Sequence, residues 1–220
     1  MTMRLDKKFL ATLLGVDESE IASISGLTFE PANASDELAT LTSFLNDRLI
    51  KRVFALTRVL VAEDDLGNVV RAHIYIEHEL QDFILFAAPN PDQLTRFDHI
   101  EFSEKVRLAL VLGLNSDLKP ALKAAGNLRN KFSHRLDMKL GEEDAKNLMA
   151  TLTPSARQRF QRFSQRALSE LSEAEASRLT GDSELRAQFQ VMVFFLALFD
   201  GVTQERKRLG LEKLQSKAWH

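Results

Sequence analysis

Apolar residues recur every three or four positions through most of the chain, and this period decides the fold class. The clearest run spans residues 35–62, where the repeating positions are Leu38, Leu41, Leu45, Leu49, Val53, Leu56 and Leu60. Residues spaced in this way lie on one face of an α-helix, so the run predicts a long amphipathic helix. Ser35 is a favourable N-cap, and Asp36 and Glu37 place negative charge in the first turn. The pattern indicates an all-α protein.

Similar periods predict further helices along the 220-residue chain. Two short ones are expected within 5–24, one between a turn at 64–68 and Pro89, and others near 103–112, 117–140, from 142, 153–171 and 183–209. Residues 69–76 also suit a strand, but the longer period favours helix. Ser103 and Thr153 are expected to cap two of these helices, Asp117 to begin the helix over 117–140, and Gly141 to close it. About seven helices with short connections predict an antiparallel helical bundle.

Composition and charge restrict the cellular location and the ligands that this bundle can have. The chain contains no cysteine, which excludes disulfides and thiolate metal sites and fits a cytoplasmic protein. The N-terminus, charged from Arg4 onwards, does not resemble a signal peptide. The most apolar stretch, Val191–Phe199, is too short to span a membrane, so we expect it to be buried in the bundle or against another subunit. The net charge of −2 gives no overall positive field, so a nucleic-acid role needs a local basic patch.

Two segments resemble the HEPN superfamily of helical-bundle proteins, and within it look most like the branch related to mannitol operon repressors. They are residues 101–114 and 128–134. The family hallmark is an arginine followed, after four to six residues, by a histidine, which Arg129 and His134 match; Asn130 matches the polar residue that often follows the arginine. The resemblance covers about residues 35–140. It implies a HEPN-like core within a bundle domain over 31–220, a short N-terminal helical attachment over 1–30, and additional C-terminal helices over 141–220.

The resemblance also implies an activity and an assembly. Many HEPN proteins are metal-independent endoribonucleases of toxin–antitoxin or phage-defence systems, and they act as dimers whose two motifs face one cleft. Histidine suits proton transfer because its pKa is near neutral, and the arginine fork suits a negatively charged phosphorane. We therefore expect His134 to transfer protons, Arg129 to stabilise the phosphorane and Asn130 to orient one of them or the phosphate, with no metal or cofactor. Leu136 stands where some HEPN toxins have a tyrosine that is modified.

The spacing of the motif favours a site shared between two subunits. On an ideal helix Asn130 and His134 share a face, whereas Arg129 and His134 lie roughly 140° apart around the axis. Arg129 and His134 therefore converge only through the long arginine side chain, a helix end near His134, or a partner subunit. In a purely structural alternative, Arg129 pairs with Asp137 or Glu101, and His134 hydrogen-bonds near a helix C-terminus.

Two further groups of residues suggest ligand chemistry. One is a helical face of three arginines in a segment without acidic residues: Arg159, Arg162 and Arg166. This face would attract a phosphate backbone, or it is a solvated surface opposite the apolar side of its helix. The other group is His73 and Glu77, one turn apart, with His78 adjacent. Metal binding needs a third convergent ligand, and the sequence does not show one.

Two functions from different classes follow. One is a homodimeric, metal-independent endoribonuclease that acts on single-stranded RNA as a toxin or phage-defence effector, with an antitoxin or regulatory protein as its partner. The other is a non-enzymatic transcriptional regulator or partner-binding protein related to the mannitol operon repressors. The motif favours the enzyme. The mild acidity and the C-terminal third, which the resemblance does not cover, favour the regulator.

Overall fold

The computed structural model describes residues 64–94, 97–133, 139–169 and 171–217. Within these ranges all regular secondary structure is helical, so the predicted all-α bundle is confirmed. We number the α-helices α1 (Asp65–Ala87), α2 (Phe102–Val111), α3 (Lys119–Ser133), α4 (Glu142–Ala150), α5 (Pro154–Ser169), α6 (Glu173–Gly181) and α7 (Ser183–Lys217). Short 3₁₀ helices span Pro91–Gln93, Phe97–His99 and Ser116–Leu118. The helices predicted within 5–24 and over 35–62 lie outside the described residues.

Helix α7 is the central element of the bundle. It packs on α1, α4, α5 and α6, while α1 also packs on α2 and α3. Three helices contribute the largest part of the core: Ile76, Leu80 and Phe83 of α1, Leu122, Ala125 and Phe132 of α3, and Phe194, Phe195 and Leu198 of α7. Helices α2, α4 and α5 add smaller sets of buried residues. The buried residues of α3 recur every three or four positions, so they form one apolar stripe along the helix.

The apolar character of α7 is explained by its position in the bundle. By length and composition alone, the segment Ser183–Gly210 would suffice to cross a membrane, but 67% of its apolar window is buried within the described bundle. A helix that is apolar on all sides is expected to be enclosed by other elements. Burial of Val191–Phe199, predicted from the sequence, is therefore confirmed, and it is the bundle that buries this stretch.

The N-terminus of α1 differs from the prediction. A turn was expected at 64–68, but the helix already begins at Asp65. The side chain of Asp64 accepts a 2.7 Å hydrogen bond from the backbone N–H of Gly67, which satisfies a donor of the first helical turn. The local signal of a turn was in fact that of a helix N-cap. The helix continues through residues 69–76, as the helical period predicted.

The motif helix α3 is also bounded differently from the prediction. Asp117 does not begin it, because a 3₁₀ turn over Ser116–Leu118 comes first. The side chain of Asn115 caps this turn by accepting a 2.9 Å hydrogen bond from the backbone N–H of Asp117. Gly141 does not close α3 but is the N-cap of α4, with an extended backbone.

The other predicted boundaries are partly correct. Ser103 lies inside α2, since the N-cap position is occupied by Glu101. Thr153 caps α5 as predicted, because its hydroxyl accepts a hydrogen bond from the backbone N–H of Ala156 at 3.4 Å. Helix α7 extends past the predicted end to Lys217.

Candidate functional site

Helix α3 presents two residues of the motif on its exposed side. Its opposite face is fixed in the core by Leu122 and Phe132, so Arg129 and Asn130 point away from the core and are exposed. Nη1 of Arg129 donates a 3.1 Å hydrogen bond to Oδ1 of Asn130. Among the described residues Arg129 forms no ion pair, so the alternative pairing with Glu101 is not present. The other alternative acid, residue 137, lies outside them.

Arg129 and Asn130 line an open cleft between α2 and α3. The cleft has a volume of about 670 Å³, and one part of its wall is formed by His73 and Glu77 of α1. Its charged lining consists of four basic and two acidic side chains: Arg107, Lys119, Lys123, Arg129, Glu77 and Glu101. Arg107 is ion-paired with Glu104, and Glu77 with Lys105. The remaining lining of Lys119, Lys123 and Arg129 against Glu101 gives the cleft a surplus of positive charge, although the chain as a whole is slightly acidic.

The basic side of the cleft follows from the register of α3. Lys119, Lys123, Asn127 and Asn130 are spaced three or four residues apart, so they share one face of the helix. Together they extend over roughly 16 Å of helix axis. Both lysines are exposed and form no ion pair within the described ranges. A row of cations and amides of this kind suits the phosphate groups of a nucleic-acid strand.

His73 forms a buried part of the cleft wall. It is 3% exposed, and its ring centroid lies 4.2 Å from that of Phe102. Burial lowers the pKa of His73 to about 4, with smaller contributions in the same direction from the charges of Arg129 and Lys105, while Glu77 acts in the opposite direction. The imidazole is therefore uncharged at neutral pH.

Next to this histidine, Lys105 and Glu77 form an ion pair. Nζ of Lys105 donates a 2.6 Å hydrogen bond to Oε1 of Glu77, and Lys105 is 1% exposed. Oε2 of Glu77 lies 3.9 Å from Nδ1 of His73. The pair joins α2 to α1 and places a carboxylate beside the buried imidazole.

His134 lies outside the described residues, so its predicted meeting with the motif arginine stays a prediction. The described residues on both sides of the segment 134–138 are anchored to other helices. Nζ of Lys131 lies 2.5 Å from Oδ1 of Asp144, and the backbone N–H of Leu140 donates a 2.8 Å hydrogen bond to Oδ2 of Asp65. These bonds join the C-terminal end of α3 to α4, and Leu140 to α1.

The arginine face of α5 is separate from the cleft. Arg159 is half-buried against α7, where a Cβ atom added at Gly201 would lie 3.5 Å from its Nε and Nη2. Burial raises the pKa of Asp200, and the charges of Arg159 and Arg162 oppose this shift. Arg162 and Arg166 are exposed. None of the three lines the cleft, and their role in binding phosphate stays a prediction.

No metal centre is found in the described part of the chain. It contains no group of three or more histidine, aspartate and glutamate side chains placed to hold an ion. His73 and Glu77 do lie together, but His78 is exposed and does not line the cleft.

Sequence reasoning missed several residues of the cleft. Arg107, Lys119 and Lys123 were not singled out, and His73 was considered only as a metal ligand. The two lysines carry a readable signal, because they are in helical register with Asn130 on the motif helix. The approach of α1 to this face depends on tertiary packing between distant segments, so no local pattern indicates it.

The chain has no match among family models, curated proteins or solved structures.

Proposed function

We propose that this chain is a HEPN-type endoribonuclease that cuts single-stranded RNA without a metal ion, as a toxin or phage-defence effector. The observation that carries the proposal is the position of Arg129 and Asn130 on the wall of a cleft that Arg107, Lys119 and Lys123 also line. Positive charge concentrated in a cleft attracts a phosphate backbone even when the net charge of the chain is negative. Arg129 and Asn130 thus lie beside a surface suited to RNA.

The proposed chemistry is transfer of a phosphoryl group within the RNA strand. The ribose 2′-oxygen attacks the adjacent phosphorus, the bond to the 5′-oxygen breaks, and a 2′,3′-cyclic phosphate forms. His134 takes the proton of the 2′-hydroxyl, and an imidazolium returns a proton to the leaving oxygen. Arg129 stabilises the phosphorane oxygens, and its hydrogen bond to Asn130 restricts the guanidinium while leaving donors for phosphate.

The size and lining of the cleft favour a single strand. A volume of about 670 Å³ is in the range of pockets that hold small molecules, so an unstacked nucleotide fits. Phe102 is half-buried on the cleft wall and offers an aromatic surface. Proteins that recognise single-stranded RNA commonly stack its exposed bases on such rings.

The proposed assembly is a homodimer in which two motifs share one site. The five-residue spacing places Arg129 and His134 on different sides of an ideal helix, so a second subunit is the simplest source of the missing partner. A toxin of this kind would also bind an antitoxin or regulatory protein. Light scattering at micromolar concentration tests the dimer, and a strict monomer would count against the shared site.

Cleavage of a fluorescent single-stranded RNA by the purified chain in EDTA tests the proposal. We expect cleavage that leaves a 2′,3′-cyclic phosphate or its 3′-phosphate product, and its loss in the His134→Ala variant. Arg178→Ala on α6 is a suitable control, because this arginine is exposed and does not line the cleft. If wild type binds RNA without cutting it, the non-enzymatic regulator replaces the enzyme as the proposed function.

A further inference from the structure

The cleft wall contains a buried imidazole that the proposed reaction does not use. His73 lines the cleft, and its Nε2 atom has no hydrogen-bond partner among the described residues. Buried polar atoms of native proteins nearly always have a partner. Nε2 lies below the surface of the cleft wall, and its unmet hydrogen-bonding capacity points to a ligand that binds in the cleft.

The surroundings of His73 decide which kind of group it binds. Oε1 of Glu77 is held by Lys105, while Oε2 lies 3.9 Å from Nδ1 of His73. At 3.9 Å this carboxylate is too far to accept a hydrogen bond from Nδ1, but its negative charge favours the tautomer with the proton on that nitrogen, which leaves a lone pair on Nε2. Because burial keeps the ring neutral, with its pKa lowered to about 4, Nε2 is an acceptor at neutral pH. Its ligand is then a hydrogen-bond donor and not an anion.

We propose that His73 is a recognition residue whose Nε2 accepts a hydrogen bond from a ribose 2′-hydroxyl of an RNA strand in the cleft. This inference rests on the proposed function, since it requires RNA at this site. Every 2′-hydroxyl of an RNA strand is next to a phosphate, and Arg129 and Lys123 line the same cleft as His73. A strand bound by these cations brings its hydroxyls to the wall. DNA has no such group, so His73 distinguishes RNA from DNA.

Phe102 is the aromatic neighbour of His73 in the cleft wall. Its ring is tilted by 53° against that of His73 and is half-buried on the cleft wall. It also packs directly on the backbone of α3, since a Cβ atom added at Gly126 would lie 3.1 Å from its Cδ1. Because Nε2 is buried, the inference requires a small local shift of the wall when RNA binds, and an aromatic ring at this place suits stacking on a base.

Two substitutions separate the acceptor from the packing of the ring. His73→Gln retains a side-chain oxygen at a similar reach to Nε2, whereas His73→Leu fills the space without an acceptor. Binding of oligo-U and oligo-deoxy-U of equal length is measured by fluorescence anisotropy in a His134→Ala background, with intact RNA verified on a gel. We expect the background protein and the Gln variant to prefer oligo-U by roughly tenfold. The Leu variant should bind both oligomers equally, with an unchanged Kd for oligo-deoxy-U.

Three results would overturn the inference. The first is an equal preference for oligo-U in the Leu and Gln variants. The second is a folded Leu variant that loses affinity for both oligomers to the same extent, which would give His73 a structural role only. If the Leu variant does not fold, the NMR resonances of the His73 ring are followed instead, and they are identified by their absence from the Gln variant. These resonances should shift more with oligo-U than with oligo-deoxy-U. Equal shifts with the two oligomers are the third contradicting result. If the background protein binds no RNA, the proposed function fails and this inference fails with it.

Discussion

Lys105 and Glu77 form a hydrogen-bonded ion pair, with 2.6 Å between Nζ and Oε1, in which the two partners differ in burial. The side chain of Lys105 is 1% exposed, whereas that of Glu77 is 28% exposed. Nζ of Lys105 also lies 5.8 Å from the centroid of the Phe97 ring. The ammonium therefore depends on Glu77 as its counter-charge, while the carboxylate has access to water.

The unequal burial predicts unequal effects of breaking this pair. Glu77→Gln leaves an ammonium buried without a counter-charge and should lower the free energy of unfolding by roughly 3–5 kcal/mol. Lys105→Met removes the buried charge and keeps an apolar chain, so its loss should be under about 2 kcal/mol. Urea unfolding of both variants measures the difference. A greater loss for Lys105→Met than for Glu77→Gln would contradict this account of the pair.

The buried imidazole of His73 should make the stability of the chain depend on pH. Its pKa in the folded chain is lowered to about 4 from 6.5, so between these values the unfolded chain binds a proton that the folded chain does not. Its contribution to stability is fully present above pH 6.5 and should fall by about 3 kcal/mol as the pH drops to 4. The His73→Gln variant should show a shallower decline in urea unfolding over this range. Parallel declines of wild type and variant would contradict the burial of a neutral imidazole.

Helix α7 packs closely on its neighbours at Gly201, so a larger side chain at this position should be destabilising. A Cβ atom added there would lie 2.8 Å from Cδ2 of Leu118 and 3.5 Å from the guanidinium of Arg159. Gly201→Ala should therefore destabilise the chain by roughly 1–3 kcal/mol, because the neighbours must shift. Gly181→Ala is the matched control, since a Cβ atom there meets nothing within 4 Å, and it should be neutral or slightly stabilising. Thermal unfolding measures the stability of both variants. Equal melting temperatures for Gly201→Ala and Gly181→Ala would contradict the close packing at Gly201.

The sequence predicted the fold class because this class depends on the local helical period. The stripe that contains Leu122 and Phe132 fixes which side of α3 is buried, and with it the exposure of Arg129 and Asn130. Helix ends were predicted less well, since a single glycine such as Gly141 suits either the end of one helix or the beginning of the next.

The cleft itself could not be predicted from local patterns. It forms because α1 and α2 pack beside α3, and the residues concerned are far apart in sequence. In the sequence, His73 does not differ from other histidines of amphipathic helices. Its distinctive environment comes from the contacts with Phe102 and Glu77 in the folded chain. The arginines of α5 show the opposite case, because a basic run visible in the sequence is partly used in packing, with Arg159 against α7.

The separation of the cleft from α5 predicts which cations bind RNA. Changing Lys119 and Lys123 together to Gln should weaken binding and reduce the slope of log K against log salt by about 1.4, as each phosphate contact on a single strand contributes about 0.7. Changing the α5 arginines to Gln should reduce the slope less, since none of the three lines the cleft. Anisotropy titrations at several salt concentrations measure both. A larger change of this slope for the α5 variant than for the lysine variant would indicate that RNA binds along α5 and not in the cleft.

Single-turnover cleavage of single-stranded RNA in EDTA, with Arg129 varied, tests the central claim most directly. Arg129→Ala should slow cleavage by about 10²–10³-fold, since one transition-state donor is lost. Arg129→Lys should recover little of this, because an ammonium lacks the bidentate fork of a guanidinium. Both variants should keep the unfolding free energy of wild type within about 0.5 kcal/mol, as Arg129 is exposed and forms no ion pair in the described part of the chain. Cleavage by Arg129→Ala at the wild-type rate, or no cleavage by wild type, would contradict the account.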